Sequence, residues 1–176
     1  TQLRESGLEE DTLVFFLSDN GGPTRELTSS NRPLRGEKGQ MYEGAIRVPF
    51  MVQWKGKLPS DKVYDYPVSA IDIFATAVSV AQANTPKQVE GVDLIPFLNG
   101  NKTERPHETL FWRQGRKTAM RFGDWKLLRM GNRSGRGNSN WELYDLSKDV
   151  SETKDLARTH PKKLAELISR WSKVNG

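Results

Sequence analysis

Two oxygen-bearing side chains, Asp19 and Asn20, directly follow an apolar run that begins at Leu13 and ends at Ser18. Such a run, rich in Val and Phe, is typical of a strand buried on both faces, as in a parallel sheet flanked by helices. In open α/β sheets, ligands bind outside the carboxyl ends of the strands. A carboxylate beside a carboxamide offers two hard oxygens to a divalent cation. The pair is therefore a candidate cation site, although an Asp-Asn-Gly turn is also common at hairpins and caps.

Three further side chains are candidates for contact with a substrate. Lys38 lies between Gly36 and Gly39, and its ammonium is a compact charge suited to an oxyanion. A solvated loop lysine is the alternative interpretation. His107 and Arg113 flank a short aromatic run, and we expect either to reach a bound substrate, although a lone loop histidine is often incidental.

Composition excludes several kinds of chemistry. The 176 residues contain no cysteine, which removes disulfides, thiolate nucleophiles and soft-metal thiolate sites. Two histidines cannot form a three-histidine zinc site. A phosphate-binding glycine loop and a serine nucleophile elbow are both absent from the sequence. The chain thus has no visible nucleophile, and its apolar runs are too short for a membrane span.

Positive charge is concentrated in one segment. The net charge is +5, and residues 113–136 hold eight cations against one anion. Such a segment favours anionic partners, whether a sulfated sugar, a nucleic acid or an acidic surface. The alternative is that these cations are only the solvated faces of hairpins.

The order of elements predicts an α/β fold followed by a small antiparallel sheet. The expected elements, in chain order, are a helical tail at 1–10, a strand at 12–18, a loop at 21–48, a second buried strand at 49–54, a helix at 69–83, a linker at 84–105, short strands at 109–112, 118–122, 125–129 and 141–144 with a flexible loop at 131–140, and a final helix from Pro161 whose apolar stripe packs on the sheet. We place the domain boundary after residue 105. Residues 1–105 form the α/β part, and residues 106–176 form a small part in which the helix at 161–174 packs on the antiparallel sheet.

Several sequence blocks occur in an order that resembles the C-terminal half of type I sulfatases, the arylsulfatase family of the alkaline-phosphatase-like superfamily. The blocks are Thr12 to Gly22, Pro33 to Gly39, Tyr42 to Pro49, Ser69 to Asp72, Glu90 to Leu94, Met120 to Leu127, Glu142 to Leu146, and Ser151-Glu152. The implied fold is the C-terminal part of that superfamily's mixed or parallel sheet sandwich, with the small antiparallel sheet and the final helix added.

The resemblance also implies roles for three residues. Asp19 and Asn20 would be two ligands of a divalent metal, usually Ca²⁺ or otherwise a cation such as Mg²⁺, and Lys38 would contact the substrate sulfate. The family's nucleophile is a formylglycine made from a Cys or Ser, and its motif is not in this sequence. We therefore expect the nucleophile in a missing N-terminal part, and no activity from residues 1–176 alone.

The expected partners are a sulfated small molecule or sulfated glycan and the N-terminal part of the same protein, with no nucleic acid and no membrane span. Family resemblance implies a periplasmic, extracellular or lysosomal location. Two alternatives stay open. One is a phosphate or phosphonate ester hydrolase of the same superfamily, and the other is a non-catalytic module that binds anionic glycans.

Overall fold

The structure is a computed structural model that describes residues 2–26, 29–84, 87–131 and 140–175. The chain divides into two compact units. The first unit comprises Thr1–Leu17 and Pro49–His107, and the second comprises Ser18–Val48 and Glu108–Gly176. The segment with Asp19, Asn20 and Lys38 therefore belongs to the same unit as the C-terminal sheet. The domain boundaries predicted from the sequence stay a prediction.

The first unit contains short helices, one long helix and a strand pair. Its elements are α1 (Gln2–Glu5), a 3-10 turn (Glu9–Asp11), β1 (Val14–Leu17), β2 (Phe50–Gln53), α3 (Ile71–Val80) and α4 (Ile95–Leu98), while α2 (Glu43–Ile46) lies in the second unit. A glycine just past the last turn is a common helix stop, and Gly7, with a φ of 70°, closes α1 in this way. The predicted 84–105 linker differs in one respect, because it contains α4.

Strands β1 and β2 form where the sequence places them, but their environment differs from the prediction. They pair antiparallel, with Phe16 opposite Met51, and the described residues place no parallel strand beside them. Phe16 is 64% exposed and Met51 is 55% exposed, so one face of the pair is open. A continuous apolar run is compatible with burial on both faces only when layers flank it, and the described chain covers one face alone.

Helix α3 begins with the capping arrangement that the three-residue spacing of Ser69 and Asp72 predicts. Asp72 Oδ2 accepts a hydrogen bond from Ser69 N at 2.7 Å, which is half of a capping box. Asp72 Oδ1 accepts a second bond from Val92 N at 3.0 Å. The buried Asp72 carboxylate therefore ties the start of α3 to the segment that leads into α4.

The second unit is built on one antiparallel sheet, as predicted. The strands are β3 (Thr109–Gln114), β4 (Lys117–Phe122), β5 (Trp125–Arg129) and β6 (Glu142–Asp145), and they lie in the order β3-β4-β5-β6. Gly123, with a φ of 59°, forms the predicted turn between β4 and β5. Residues 132–139 of the predicted 131–140 loop lie outside the described residues.

Helix α5 (Pro161–Asn175) covers one face of this sheet. Its stripe of Leu164, Leu167, Ile168 and Trp171 packs with Met120, Leu127 and Leu143 of the strands. A second cluster on the sheet joins Ala119, Leu128 and Tyr144 to Met41 and Tyr42 of the loop segment. The sheet thus packs against α5 and against the segment that carries the candidate site residues.

Candidate active site

In the part of the chain that the structure describes, no other group competes for the side chains of the Asp19-Asn20 turn. Asp19 is exposed and Asn20 is half-buried. Ser18 Oγ donates a hydrogen bond to the backbone carbonyl of Asn20 at 2.8 Å, which stabilises the turn. Within the described parts of the chain, neither the Asp19 carboxylate nor the Asn20 carboxamide has a side-chain hydrogen-bond or ion-pair partner. Both groups are therefore available to a ligand.

Glycine is required directly after this turn because two backbones meet there. The buried Gly21 donates a hydrogen bond from its N–H to Ala45 O at 2.9 Å. A Cβ atom at Gly21 would lie 1.8 Å from Gly44 O, a distance that no side chain tolerates. Residue 21 must therefore be glycine for the turn to lie against α2.

Asn31 joins two turns. The first is the Asp19-Asn20 turn with Gly21 and Gly22, called the metal-type turn because its oxygens suit a metal ion, and the second is the turn at 35–39 that carries Lys38, called the lysine turn. Its Oδ1 accepts a hydrogen bond from Gly22 N at 2.9 Å, and its Nδ2 donates to Gly22 O at 2.9 Å. The same Nδ2 donates to Gly36 O at 3.0 Å. Sequence reasoning missed Asn31, because these bonds span five and nine residues of a loop without periodicity.

Lys38 is exposed, and among the described residues its ammonium has no hydrogen-bond or ion-pair partner. Its backbone N–H donates to Gly22 O at 3.4 Å, so the lysine turn and the metal-type turn lie side by side. The next residue, Gly39, accepts a hydrogen bond through its carbonyl from Lys117 Nζ. The β3–β4 hairpin that carries Arg113 therefore contacts the lysine turn.

A network of aromatic and charged side chains holds the beginning of the lysine turn. Arg35 donates from Nη2 to Tyr42 Oη at 3.1 Å and from Nη1 to Tyr144 Oη at 3.0 Å. Tyr42 and Tyr144 in turn donate to the Glu142 carboxylate, at 3.0 Å and 2.6 Å to Oε2. Burial and the nearby Glu142 charge raise the pKa of Tyr42 to about 12. Burial and the hydrogen bond to Glu142 also raise the pKa of Tyr144, so both phenols stay protonated and keep donating at neutral pH.

His107 lies in the first unit and has a partner of its own. Its Nε2 is 2.8 Å from Asp72 Oδ1 and 2.9 Å from Asp72 Oδ2. The His107 side chain is only 9% exposed and the Asp72 side chain is fully buried. The geometry gives His107 a structural contact within its unit, and its proposed substrate contact stays a prediction.

The basic segment 113–136 is less available to an anionic partner than its charge suggests. Lys126 is fully buried between carboxylates. Arg129 stacks its guanidinium over Trp141, 4.6 Å from the ring centroid. Arg133 and Arg136 lie outside the described residues. The described cations thus serve internal contacts in at least two cases, which weakens the interpretation of the segment as a continuous anion-binding surface.

Within the described residues, no group of three or more His, Cys, Asp or Glu side chains comes together to hold a metal ion. Asp19 and Asn20 nevertheless fit a hard cation by the chemistry of their oxygens, and neither side chain has a partner among the described residues. Across the described helices, none has the length and apolar character needed to cross a membrane.

Comparison with known proteins shows what this chain is similar to. A family model described as Sulfatase matches residues 1–83. Mouse steryl-sulfatase is 39% identical over 118 residues, which is 62% of this chain and 19% of that protein. An uncharacterized sulfatase of Escherichia coli K12, YdeN, is 36% identical over 113 residues, or 63% of this chain and 20% of that protein. The matched region therefore spans about a fifth of these relatives' length.

Solved structures share the fold over nearly the whole chain. The crystal structure of Ps i-CgsB in complex with k-i-k-neocarrahexaose superposes with a TM-score of 0.83 and 27% identity, covering 97% of this chain and 38% of that one. A phosphonate monoester hydrolase of Agrobacterium radiobacter superposes with a TM-score of 0.74 at 21% identity, covering 98% of this chain and 36% of that one, which shows a shared fold alone. The predicted α/β class of the alkaline-phosphatase-like type is thus confirmed, and so is the resemblance of this chain to the sulfatase family.

Proposed function

We propose that this chain supplies part of the active site of a sulfuric ester hydrolase. Asp19 and Asn20 are assigned as two ligands of a divalent metal, Ca²⁺ or another cation such as Mg²⁺, and Lys38 as the contact to the substrate sulfate. The observation that carries the proposal is the Asn31 side chain, which bonds Gly22 and Gly36 and so holds the metal-type turn beside the lysine turn. The match of residues 1–83 to the Sulfatase family model supports it.

In this assignment the reaction breaks the sulfur–oxygen bond of a sulfate ester and releases an alcohol. Lys38 would place its ammonium against sulfate oxygens that gain charge as a nucleophile attacks sulfur. A divalent cation at Asp19 and Asn20 would supply further positive charge, and a formylglycine outside this chain would supply the nucleophile. Residues 1–176 by themselves are therefore expected to be inactive.

The proposed substrate is a sulfated small molecule or a sulfated glycan. The support is indirect, because one relative is a steryl-sulfatase and one structural neighbour holds k-i-k-neocarrahexaose. The proposed location is the periplasm, the extracellular space or the lysosome, as the family resemblance suggests.

The N-terminal part of the same protein is the proposed partner of the first unit. Phe16 and Met51 lie opposite each other on β1 and β2 and expose 64% and 55% of their surface. Paired apolar side chains on a sheet normally pack against another layer. The short fraction of the relatives' length that this chain matches is consistent with a partner layer of that kind.

A phosphate or phosphonate ester hydrolase is the second candidate, because a phosphonate monoester hydrolase shares the fold. Substrate discrimination separates the two. We propose to assay the full-length protein on 4-nitrophenyl sulfate, 4-nitrophenyl phosphate and 4-nitrophenyl phenylphosphonate, before and after chelation of divalent cations. Preferred turnover of the sulfate ester, lost on chelation and restored by Ca²⁺ or Mg²⁺, supports the proposal. Preferred turnover of the phosphorus esters contradicts it.

A further inference from the structure

A buried lysine connects the C-terminal sheet to the short helix behind the metal-type turn. Lys126 of β5 is fully buried, and its Nζ lies 2.8 Å from Glu43 Oε1 and 2.8 Å from Glu152 Oε1. Glu43 is the first residue of α2 and is itself buried. Arg47, one helical turn after Glu43, is a second cation near this carboxylate, but that pair is 3.8 Å apart and Arg47 is half exposed. Lys126 is therefore the main ionic partner of α2.

Glu152 holds the same helix by a second route. Its Oε2 accepts a hydrogen bond from the backbone N–H of Glu43 at 2.6 Å, and its own carbonyl accepts one from Arg35 Nη1 at 2.9 Å. Glu152 adopts a φ of 53°, in the left-handed region that side chains other than glycine rarely occupy. A residue keeps such a conformation only where its surroundings enforce it. Here the contacts to Lys126, Glu43 and Arg35 do so.

The position of α2 in turn sets the position of the metal-type turn. Gly21 donates to Ala45 O at 2.9 Å and packs against Gly44 without room for a single added carbon atom. Gly44 donates to Arg35 O at 2.7 Å, at the start of the lysine turn. A shift of α2 would therefore move the backbone of both turns.

Fold stability alone does not require an ion pair at this place. Well-packed apolar side chains of similar volume are often as stabilising as a buried ion pair. The charged group instead adds specificity, because a lysine held by two carboxylates fixes one arrangement of β5 and α2. The observed contacts all lead from the sheet, through Glu43, to the backbone of Gly21.

We propose that Lys126 is a positioning residue. It acts through Glu43 and α2 to hold the metal-type turn and the lysine turn in their positions beside each other. The proposal rests on the proposed function for the roles of those two turns. It extends the candidate site to a side chain that touches neither substrate nor metal.

The test compares full-length wild type with Lys126→Met and with the double variant Lys126→Met/Glu43→Gln. The double variant removes the charge left on Glu43, while Glu152 keeps its hydrogen bond from the Glu43 N–H, and this limits the loss of stability. The first readout is hydrogen exchange of the Gly21 amide, which is buried and bonded to Ala45 in the wild type. The second readout is the Kd for Ca²⁺ measured by calorimetry. Lys163→Met is the matched control, because Lys163 forms an ion pair with Glu166 on α5.

We expect exchange at Gly21 to rise at least tenfold and the Kd for Ca²⁺ to rise at least tenfold in both Lys126 variants, with α3 amides unchanged. Lys163→Met should match the wild type in both readouts. Unchanged exchange at Gly21 in the folded double variant would overturn the proposal. A wild type that binds no Ca²⁺ counts against the proposed function instead, and the exchange measurement still decides the role of Lys126.

Discussion

Asn31 and Gly22 exchange two hydrogen bonds, each 2.9 Å long, in which the side-chain amide of Asn31 takes the place of a neighbouring strand. The third bond of the same side chain, to Gly36 O, extends this contact to the lysine turn. One carboxamide therefore connects the residues assigned to the metal with the residue assigned to the sulfate.

Replacing Asn31 tests this connection. Asn31→Leu removes all three bonds and leaves Gly22 N and Gly36 O unpaired, while Gly22 O keeps the bond from Lys38 N. The expected cost is about 1–3 kcal/mol for each buried group that stays unpaired. In the full-length protein we expect kcat/KM for a sulfate ester to fall at least tenfold at a temperature where the variant is fully folded. Asn101→Leu, at an exposed turn, is the control. Activity that follows only the loss of folded protein would speak against a positioning role.

The His107–Asp72 pair should contribute to stability. Asp72 is fully buried and His107 contacts both of its carboxylate oxygens. His107→Ala removes one partner of a buried carboxylate, and we expect the free energy of unfolding to fall by about 1–3 kcal/mol. Urea denaturation of the variant measures this change. His160→Ala, at the exposed second histidine, should have a smaller effect, and equal effects would contradict the assignment.

Tyr42 should ionise at a higher pH than an ordinary tyrosine does. Burial, followed by the charge of Glu142, raises its pKa from 10.0 to about 12. Because the folded state favours the neutral phenol, this contribution to stability is complete below pH 10 and is lost as pH rises through 12. A ¹³C NMR titration of labelled tyrosines measures the value. In Glu142→Gln the pKa of Tyr42 should fall yet stay above 10, because the burial remains.

Glu9 should ionise at a lower pH than an ordinary glutamate does. The Arg4 guanidinium, which reaches both of its oxygens, and then Lys55 lower the pKa of Glu9 from 4.5 to about 2. Because the folded state favours the charged carboxylate, the stabilisation is present above pH 4.5 and is lost as pH falls through 2. In an NMR titration, Arg4→Ala should raise this pKa by more than Lys55→Ala does. The reverse order would show that Lys55 is the main partner.

Much of the fold could be predicted from local patterns. The four short aromatic strands, the Gly123 turn and the apolar stripe of α5 are all encoded within a few residues of one another, and the structure confirms them. Ser69 and Asp72, three residues apart, likewise predicted the start of α3. Such short-range patterns depend on backbone geometry that residues adjacent in the sequence set without distant contacts.

Features that depend on distant contacts could not be predicted in this way. The apolar run at β1 carries no information about its partner's direction, so its antiparallel pairing with β2 was missed. Asn31 and Lys126 resemble ordinary polar residues of a loop and a strand until the fold brings Gly22 and Glu43 to them. For the site itself, Asp19, Asn20 and Lys38 were singled out by type and by family resemblance, and their roles stay proposals.

The most direct test of the central claim is kcat/KM for 4-nitrophenyl sulfate in full-length wild type, Lys38→Ala and Lys57→Ala. Both lysines are exposed, but only Lys38 lies on the turn that is bonded to Gly22. Removing a group that stabilises charge in the transition state typically lowers the rate about 10²–10³-fold. We predict a loss of that size in Lys38→Ala and wild-type values in Lys57→Ala. Equal activity in Lys38→Ala and the wild type would contradict the assignment of Lys38 to the substrate sulfate.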